Sequence, residues 1–323
     1  MNPIISVIIP VYNRESTIIN CLDSLKNQNF IDFEAIIVDG QSIDNTAKIV
    51  KDYCKNDQRF KYIRNNDGHV TPDNVCLGLK EAKGNFISFV DSDDSVDPCF
   101  LSVLYNNLIK FDCDISQVDS GKSNNVKVEL KIYKGKEFTK ILKNIYPTTK
   151  TYARWARMFK RDLIEPILYY YSQYHDIIWE DTIFTFALFL NAKSVVISNE
   201  RLYKYYFVRN NDCPKRIYNK EYFQRIEKLH NININIFDDF RLSRRQAYYV
   251  PVIPIYEWFV QADDKIELLK AFRKDKFIHD CLKHFHYKHS VFGYRGLVFI
   301  LIYKIRLPLF QKILIKIFKN KLD

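Results

Sequence analysis

Ile4-Ile5-Ser6-Val7-Ile8-Ile9-Pro10-Val11 is a nearly continuous apolar run rich in β-branched residues. A strand that is apolar on both sides must be buried on both sides, which is the situation of a parallel strand covered by helices. Outward from it the same alternation repeats. Asn13-Arg14-Glu15-Ser16 opens a helical pattern with Ile18, Ile19, Leu22 and Leu25 apolar. Phe33–Val38 reads as a second buried strand ending at Asp39-Gly40, and Asp44-Asn45-Thr46 opens a helix through Ile49, Val50 and Tyr53. Phe60–Arg64 is a third strand, leading into the turn Asn65-Asn66-Asp67-Gly68. A helix from about Pro72 stops at Gly84, and Asn85–Val90 is a fourth strand that ends in Asp91-Ser92-Asp93-Asp94. Strands alternating with helices predict an α/β fold with a doubly wound, mainly parallel sheet flanked by helices. Ligands of such sheets sit beyond the carboxyl ends of the strands. Tyr12-Asn13, Asp39-Gly40, Asp67 and Asp91–Asp94 all fall there.

Composition excludes several classes. A hydrophobic share of 47% and a charged share of 27% are ordinary globular values, so disordered and fibrous chains are out. The 22 Tyr and 24 Phe are accounted for by a ring-rich core, although aromatic faces also serve carbohydrate sites. The net charge of +11 is unevenly spread: residues 1–150 hold 19 Lys/Arg against 20 Asp/Glu, and residues 151–323 hold 30 against 18. A neutral first half argues against a chain-wide nucleic-acid surface. Seven scattered cysteines with no CxxC pair predict reduced thiols. With no signal-peptide pattern at the N-terminus, a cytoplasmic protein is expected.

The acids carry the chemistry. Three carboxylates in Asp91-Ser92-Asp93-Asp94 repel one another unless a cation or solvent relieves them. Oxygen ligands at a strand end suit Mg²⁺ or Mn²⁺, completed by water and a diphosphate. The alternative is a helix cap, with Ser92 or Asp94 capping the segment from Pro98. Asp39 could accept a nucleobase N–H or simply make the turn before Gly40. No G-x-G-x-x-G and no P-loop occurs, so dinucleotide and Walker-type sites are not supported. In Trp179-Glu180-Asp181, two acids at a helix start either favour the helix dipole or provide a general base.

Together these segments resemble the family 2 glycosyltransferases of the GT-A fold. The resemblance is carried by Ser6–Asn13, Val38–Thr46, Asp67-Gly68 with Asn74, Asp91–Asp94, Arg154–Phe159, Trp179-Glu180-Asp181 and Leu202–Asn211, and covers about residues 4–212. It implies inverting transfer of a sugar from a nucleotide-sugar, taken as a UDP-sugar, onto an acceptor hydroxyl with Mn²⁺ or Mg²⁺. It places Pro10, Tyr12, Asn13, Asp39 and Asp67 in the nucleotide pocket, Asp91 on ribose or donor sugar, and Asp93 on the metal. Asp181 becomes the catalytic base, Glu180 supports acceptor or base, and Arg209 faces the diphosphate. The chain departs from the family pattern where Asp-Asp-Gly-Ser reads Asp39-Gly40-Gln41-Ser42. Thr-Asp-Gly-Thr reads Ile43-Asp44-Asn45-Thr46, and Ala-Arg-Asn reads Pro72-Asp73-Asn74, without the Arg.

The resemblance predicts residues 1–212 as the GT-A domain, with a nucleotide-sugar half to about 100 and an acceptor half beyond it. Residues 213–290 are expected to be a helical extension and 291–323 a basic amphipathic tail. His279, His284, His286 and His289 read as surface histidines, because no Cys or carboxylate completes a metal site. The tail's apolar run is far short of the roughly 20 residues of a membrane span. Lys304, Lys312, Lys316 and Lys319 share one helical face opposite Phe310, Leu314, Ile317 and Phe318. Such a helix either lies on anionic lipid, where a lipid-linked acceptor would be found, or docks on its own domain. Two other functions compete. A sugar-nucleotidyltransferase would need glycines after the first strand, where Pro10-Val11-Tyr12-Asn13 stands. A non-catalytic carbohydrate- or lipid-binding protein would have no reason to keep clustered carboxylates.

Overall fold

The computed structural model describes residues 2–67, 71–120, 127–138, 153–171, 180–206, 219–239 and 264–284, and positions 255, 256, 259, 299, 302–304, 311 and 315. β1 (Ile5–Val11) pairs in parallel with β2 (Phe33–Asp39) on one side and β4 (Phe86–Phe89) on the other, and β3 (Phe60–Arg64) extends the parallel set beyond β2. Every residue of β1 and β2 is buried, as apolar faces on both sides demand. Three of those residues are polar: Asp39 closes β2, while Ser6 and Glu34, inside the strands, satisfy each other. Ser6 Oγ donates to Glu34 Oε1 at 2.7 Å, and Lys61 Nζ and the Lys83 N–H donate to the same carboxylate at 2.6 and 2.7 Å. Burial raises the Glu34 pKa, but these bonds outweigh it and hold the carboxyl below its ordinary range.

Three helices connect the parallel strands: α1 (Ile18–Lys26), α2 (Thr46–Asn56) and α3 (Thr71–Glu81). The buried side of α1 is Ile18, Cys21, Leu22 and Leu25, while Ile19 faces out at 46% exposure. An apolar residue of the predicted stripe therefore lies off it.

Beyond β4 the sheet changes character. The short β5 (Ser95–Val96), β6 (Ile115–Ser120), β7 (Leu130–Lys134), β8 (Arg157–Lys160) and β9 (Ser194–Lys204) complete nine strands among the described residues. Their order is β3-β2-β1-β4-β8-β6-β9-β5, with β7 on the side of β9. β8 runs antiparallel to both β4 and β6, whereas β6 and β9 are parallel. The wedge of β8 brings Arg154 and Trp155, just before it, to the edge where β4 ends.

The chain forms two compact units. One takes Met1–Lys143, Ala153–Asp176 and Phe184–Val208 and contains the sheet. The other takes Asn144–Tyr152, Ile177–Ile183 and Arg209–Asp323, and is helical where described. Its core gathers Phe223, Phe259, Leu269 and Phe272 with Phe299, Ile302 and Tyr303 from near the C-terminus. Gln311, buried as well, donates to the Ile302 carbonyl at 3.0 Å. These positions of the predicted tail pack into the unit's own core.

Candidate active site

Because β1 to β4 are parallel, their carboxyl ends share one edge, and each chain exit there is polar. The loops after β1 and β2 are laced together. Asn13 takes a left-handed φ of 50°, which Asn tolerates better than most residues. Its Oδ1 accepts the Ile43 N–H, and its own N–H donates to Ser42 Oγ, both at 2.9 Å. The Arg14 N–H donates to Thr46 Oγ1 at 2.8 Å, and Glu15 Oε2 accepts both N–H groups of Asn45 at 2.9 Å. Pro10 is buried beneath this loop pair, and Tyr12 stands at 44% exposure above it. Asp44 Oδ1 accepts the Thr46 N–H at 3.0 Å, so it serves the start of α2.

Asp39 is fully buried at the end of β2. Oδ1 accepts the Ser42 N–H at 2.8 Å and Oδ2 the Tyr62 hydroxyl at 2.7 Å, with Arg64 Nη1 3.7 Å away. Burial first, and then this bond, push the Tyr62 phenol up to about 12. A nucleobase N–H would have to use a remaining lone pair of an already engaged carboxylate. After β3, Asn65 donates to Asn74 Oδ1 at 2.9 Å and accepts the Asp67 N–H at 3.1 Å, leaving the Asp67 side chain exposed.

The acidic loop after β4 is held from three directions. The Asp91 N–H donates to the Tyr203 hydroxyl at 3.0 Å, and that hydroxyl donates to Asp94 Oδ2 at 2.8 Å. Asp94 Oδ1 accepts the Tyr206 N–H at 2.9 Å. Arg154 Nη2 lies 3.8 Å from Asp91 Oδ1, and Arg14 Nε lies 3.4 Å from Asp93 Oδ2. Burial drives the Asp94 carboxyl up to about 7; the Tyr206 and Tyr203 bonds oppose the rise, and Asp91 and Asp93 add to it. The helix after the loop, α4 (Phe100–Phe111), has Cys99 as its N-cap and no side-chain capping bond. Neither Ser92 nor Asp94 caps it, which removes that alternative. Asp91 and Asp93 keep partial exposure, so two of the three carboxylates reach solvent at the shared edge.

Residues 6–168 match the model of glycosyl transferase family 2. The chain belongs to that family. An uncharacterized glycosyltransferase of Bacillus subtilis, EpsJ, is 31% identical over 214 residues, which are 64% of this chain and 61% of the relative. A GalNAc(5)-diNAcBac-PP-undecaprenol beta-1,3-glucosyltransferase of Campylobacter jejuni is 35% identical over 133 residues, 37% of this chain and 43% of that one. The first relatives it matches are spanned over 30–61% of their own length. Among solved structures, residues 1–349 of S. aureus TarS in complex with UDP-GlcNAc superpose with a TM-score of 0.59 at 19% identity, covering 89% of this chain and 82% of that TarS 1–349 chain. That likeness establishes the GT-A-type fold.

The family 2 sheet edge brings together Pro10, Tyr12, Asn13, Asp39, Asp67, Asp91 and Asp93. Glu180 and Asp181 open α5 (Glu180–Asn191), where Asp181 is partly buried. The Glu180 side chain and Arg209 lie outside the described residues. Of the histidines, His279 is exposed and its Nδ1 is 2.7 Å from the Tyr303 hydroxyl; His286 and His289 lie outside the described residues. Arg14, Arg154 and Tyr203 were not predicted as site residues. Arg154 and Tyr203 stand in segments that carry the family resemblance, but their partners are 63 and 112 positions away in the chain. Only the topology reveals those pairs.

Proposed function

We propose that this family 2 protein transfers a sugar from a UDP-sugar to an acceptor hydroxyl, with inversion. The observation that carries the reading is the partly exposed Asp91–Asp93 pair at the carboxyl edge of four parallel strands, with Arg14 and Arg154 against it. Pro10, Tyr12, Asn13, Asp39 and Asp67 would line the nucleotide, Asp91 would contact ribose or sugar, and Arg209 would face the diphosphate. As the acceptor oxygen bonds to the anomeric carbon, the bond from that carbon to the diphosphate oxygen breaks. The hydroxyl proton passes to Asp181, Glu180 supports that base or the acceptor, and UDP leaves.

Asp93 would hold Mn²⁺ or Mg²⁺. Among the described residues no group of three or more His, Cys, Asp or Glu forms a metal cage. That donor set fits an ion of this kind, which one or two carboxylates bind together with substrate phosphates and water. When bound, the ion supplies positive charge against the departing diphosphate.

The undecaprenol-linked acceptor in the name of the Campylobacter relative supports a place for this reaction in bacterial surface polysaccharide or lipid-linked oligosaccharide synthesis. No helix of the described residues is long and apolar enough to cross a membrane. Attachment, on this reading, is peripheral, through the basic face of the tail at an anionic cytoplasmic surface. Residues 1–100 are assigned to the donor and 101–212 to the acceptor, with 213–290 as the helical extension.

A thermal-shift panel of UDP, GDP, dTDP and CMP, each with Mn²⁺ or EDTA, tests the donor site. A Mn²⁺-dependent shift with UDP is expected, lost in Asp93→Asn and kept in Asp181→Asn. Both variants should lose at least about 100-fold in UDP release from the UDP-sugar. Near-normal turnover in either would remove that residue's role.

A further inference from the structure

Against the acidic loop stands a set of aromatic rings that the chemistry above leaves unused. Trp155 lies nearly parallel to two tyrosines. Its ring centroid is 4.8 Å from that of Tyr203 at an interplanar angle of 16°, and 5.5 Å from that of Tyr205 at 18°. Tyr203 is fully buried and packs edge-on against Phe100 at 6.0 Å, so the set is anchored in the core. At its other end Tyr205 is 50% exposed, and the adjacent Tyr206 is 53% exposed with its hydroxyl 3.2 Å from Ser95 Oγ. The Tyr203 end is tied to the acids through its hydroxyl, between Asp91 and Asp94, and the backbone just after Tyr205 is tied to them through the Tyr206 N–H on Asp94.

Ring stacking of this geometry fixes side chains that would otherwise move freely at a strand end. It presents apolar ring surface to water beside a partly exposed carboxylate pair, at an edge otherwise lined by polar loops. A pyranose suits such a surface, because its axial C–H groups form one apolar, slightly positive face that rests on the negative face of an aromatic ring, while its hydroxyls point sideways into polar surroundings. A hydrocarbon chain would call for a buried apolar groove instead, and two half-exposed tyrosines beside three acids do not offer one.

We infer that Tyr205, set in place by Trp155 and Tyr203, is the stacking platform for a pyranose ring of the acceptor. The acceptor is therefore a glycan or glycoside at its reactive end. This inference rests on the proposed transferase reading only for the word acceptor; the platform itself is a carbohydrate subsite.

The test uses the full chain and methyl β-D-glucopyranoside as probe, followed by saturation-transfer NMR. Transfer should favour H1, H3 and H5, the protons of one ring face. It should persist in Tyr205→Phe and fall at least fivefold in Tyr205→Leu, which keeps apolar bulk without a ring. A near-ultraviolet dichroism spectrum and the UDP thermal shift check that Tyr205→Leu is folded. Equal transfer in wild type and Tyr205→Leu, or none in wild type, would overturn the platform whatever UDP does. Displacement of the probe by UDP-GlcNAc but not by UDP would give the platform to the donor's sugar and overturn the acceptor assignment. Tyr205-dependent transfer in a protein that shows no UDP shift would sustain the subsite while the donor reading fails.

Discussion

Glu34 shows what a single charge inside a central strand demands. It is 3% exposed, yet it accepts from Ser6, the Lys83 N–H and Lys61, and so links β1, β2, β3 and the turn before β4. Its folded-state pKa lies below the ordinary 4.5. The stability it contributes is therefore complete above the unfolded pKa and is lost as pH falls through the folded one. Glu34→Gln should cost about 1–3 kcal/mol at pH 7, because donors built for a charged oxygen lose it. In urea titrations the gap between wild type and variant should hold from pH 7 down to about 5 and close below it. A gap independent of pH would refute the charge argument. The sequence displays Glu34 as an interruption of an apolar run and nothing more. The acids of Asp91–Asp94 are legible because they crowd together at a strand end. Arg14, Arg154 and Tyr203 are not, since an isolated Arg or Tyr means nothing until the sheet order brings its partner close.

At the scale of elements, the strands with a continuous apolar character were readable almost to the residue. The β1, β2 and β3 segments coincide with the predicted runs to within one position. β8 was not readable, for its four residues are too few to show a period, and its antiparallel seat depends on two strands distant in sequence. Gly84 reads in the sequence as the stop of α3, but the helix ends at Glu81 and the glycine has a different reason. A Cβ there would stand 2.5 Å from the Ser6 nitrogen and 2.6 Å from the Ile5 carbonyl carbon. The Gly84 N–H also donates to Ser6 Oγ at 2.8 Å. Glycine is required by close approach to the central strand's backbone, which cannot yield as a flexible side chain would. Gly84→Ala should lower stability by about 1–3 kcal/mol or more. The urea midpoint should fall with an unchanged m-value; an unaltered midpoint would show that the turn can move aside.

For the whole molecule, the open question in the sequence was whether the basic tail serves lipid or its own domain. Phe299, Ile302 and Tyr303 answer part of it, being 0%, 0% and 5% exposed within the helical unit's core. Arg273 Nη2 donates to the Tyr303 carbonyl at 2.5 Å, and His279 meets the Tyr303 hydroxyl at 2.7 Å. Each large apolar side chain so buried is worth about 1.5–3 kcal/mol. A truncation after Gly296 would therefore unravel that core, and any change in its fractionation would say nothing about lipid. The informative variant leaves the apolar side alone. Lys304 is exposed, and Lys312, Lys316 and Lys319 lie outside the described residues. Replacing all four by Gln keeps Phe299, Ile302 and Tyr303 in place and removes four positive charges, each worth about 1 kcal/mol at an anionic surface. Binding to phosphatidylserine-containing vesicles at low salt should fall at least about 100-fold, with the thermal midpoint nearly unchanged. Wild-type protein that ignores such vesicles, or a variant that binds them equally well, would leave the tail's packing as its whole purpose.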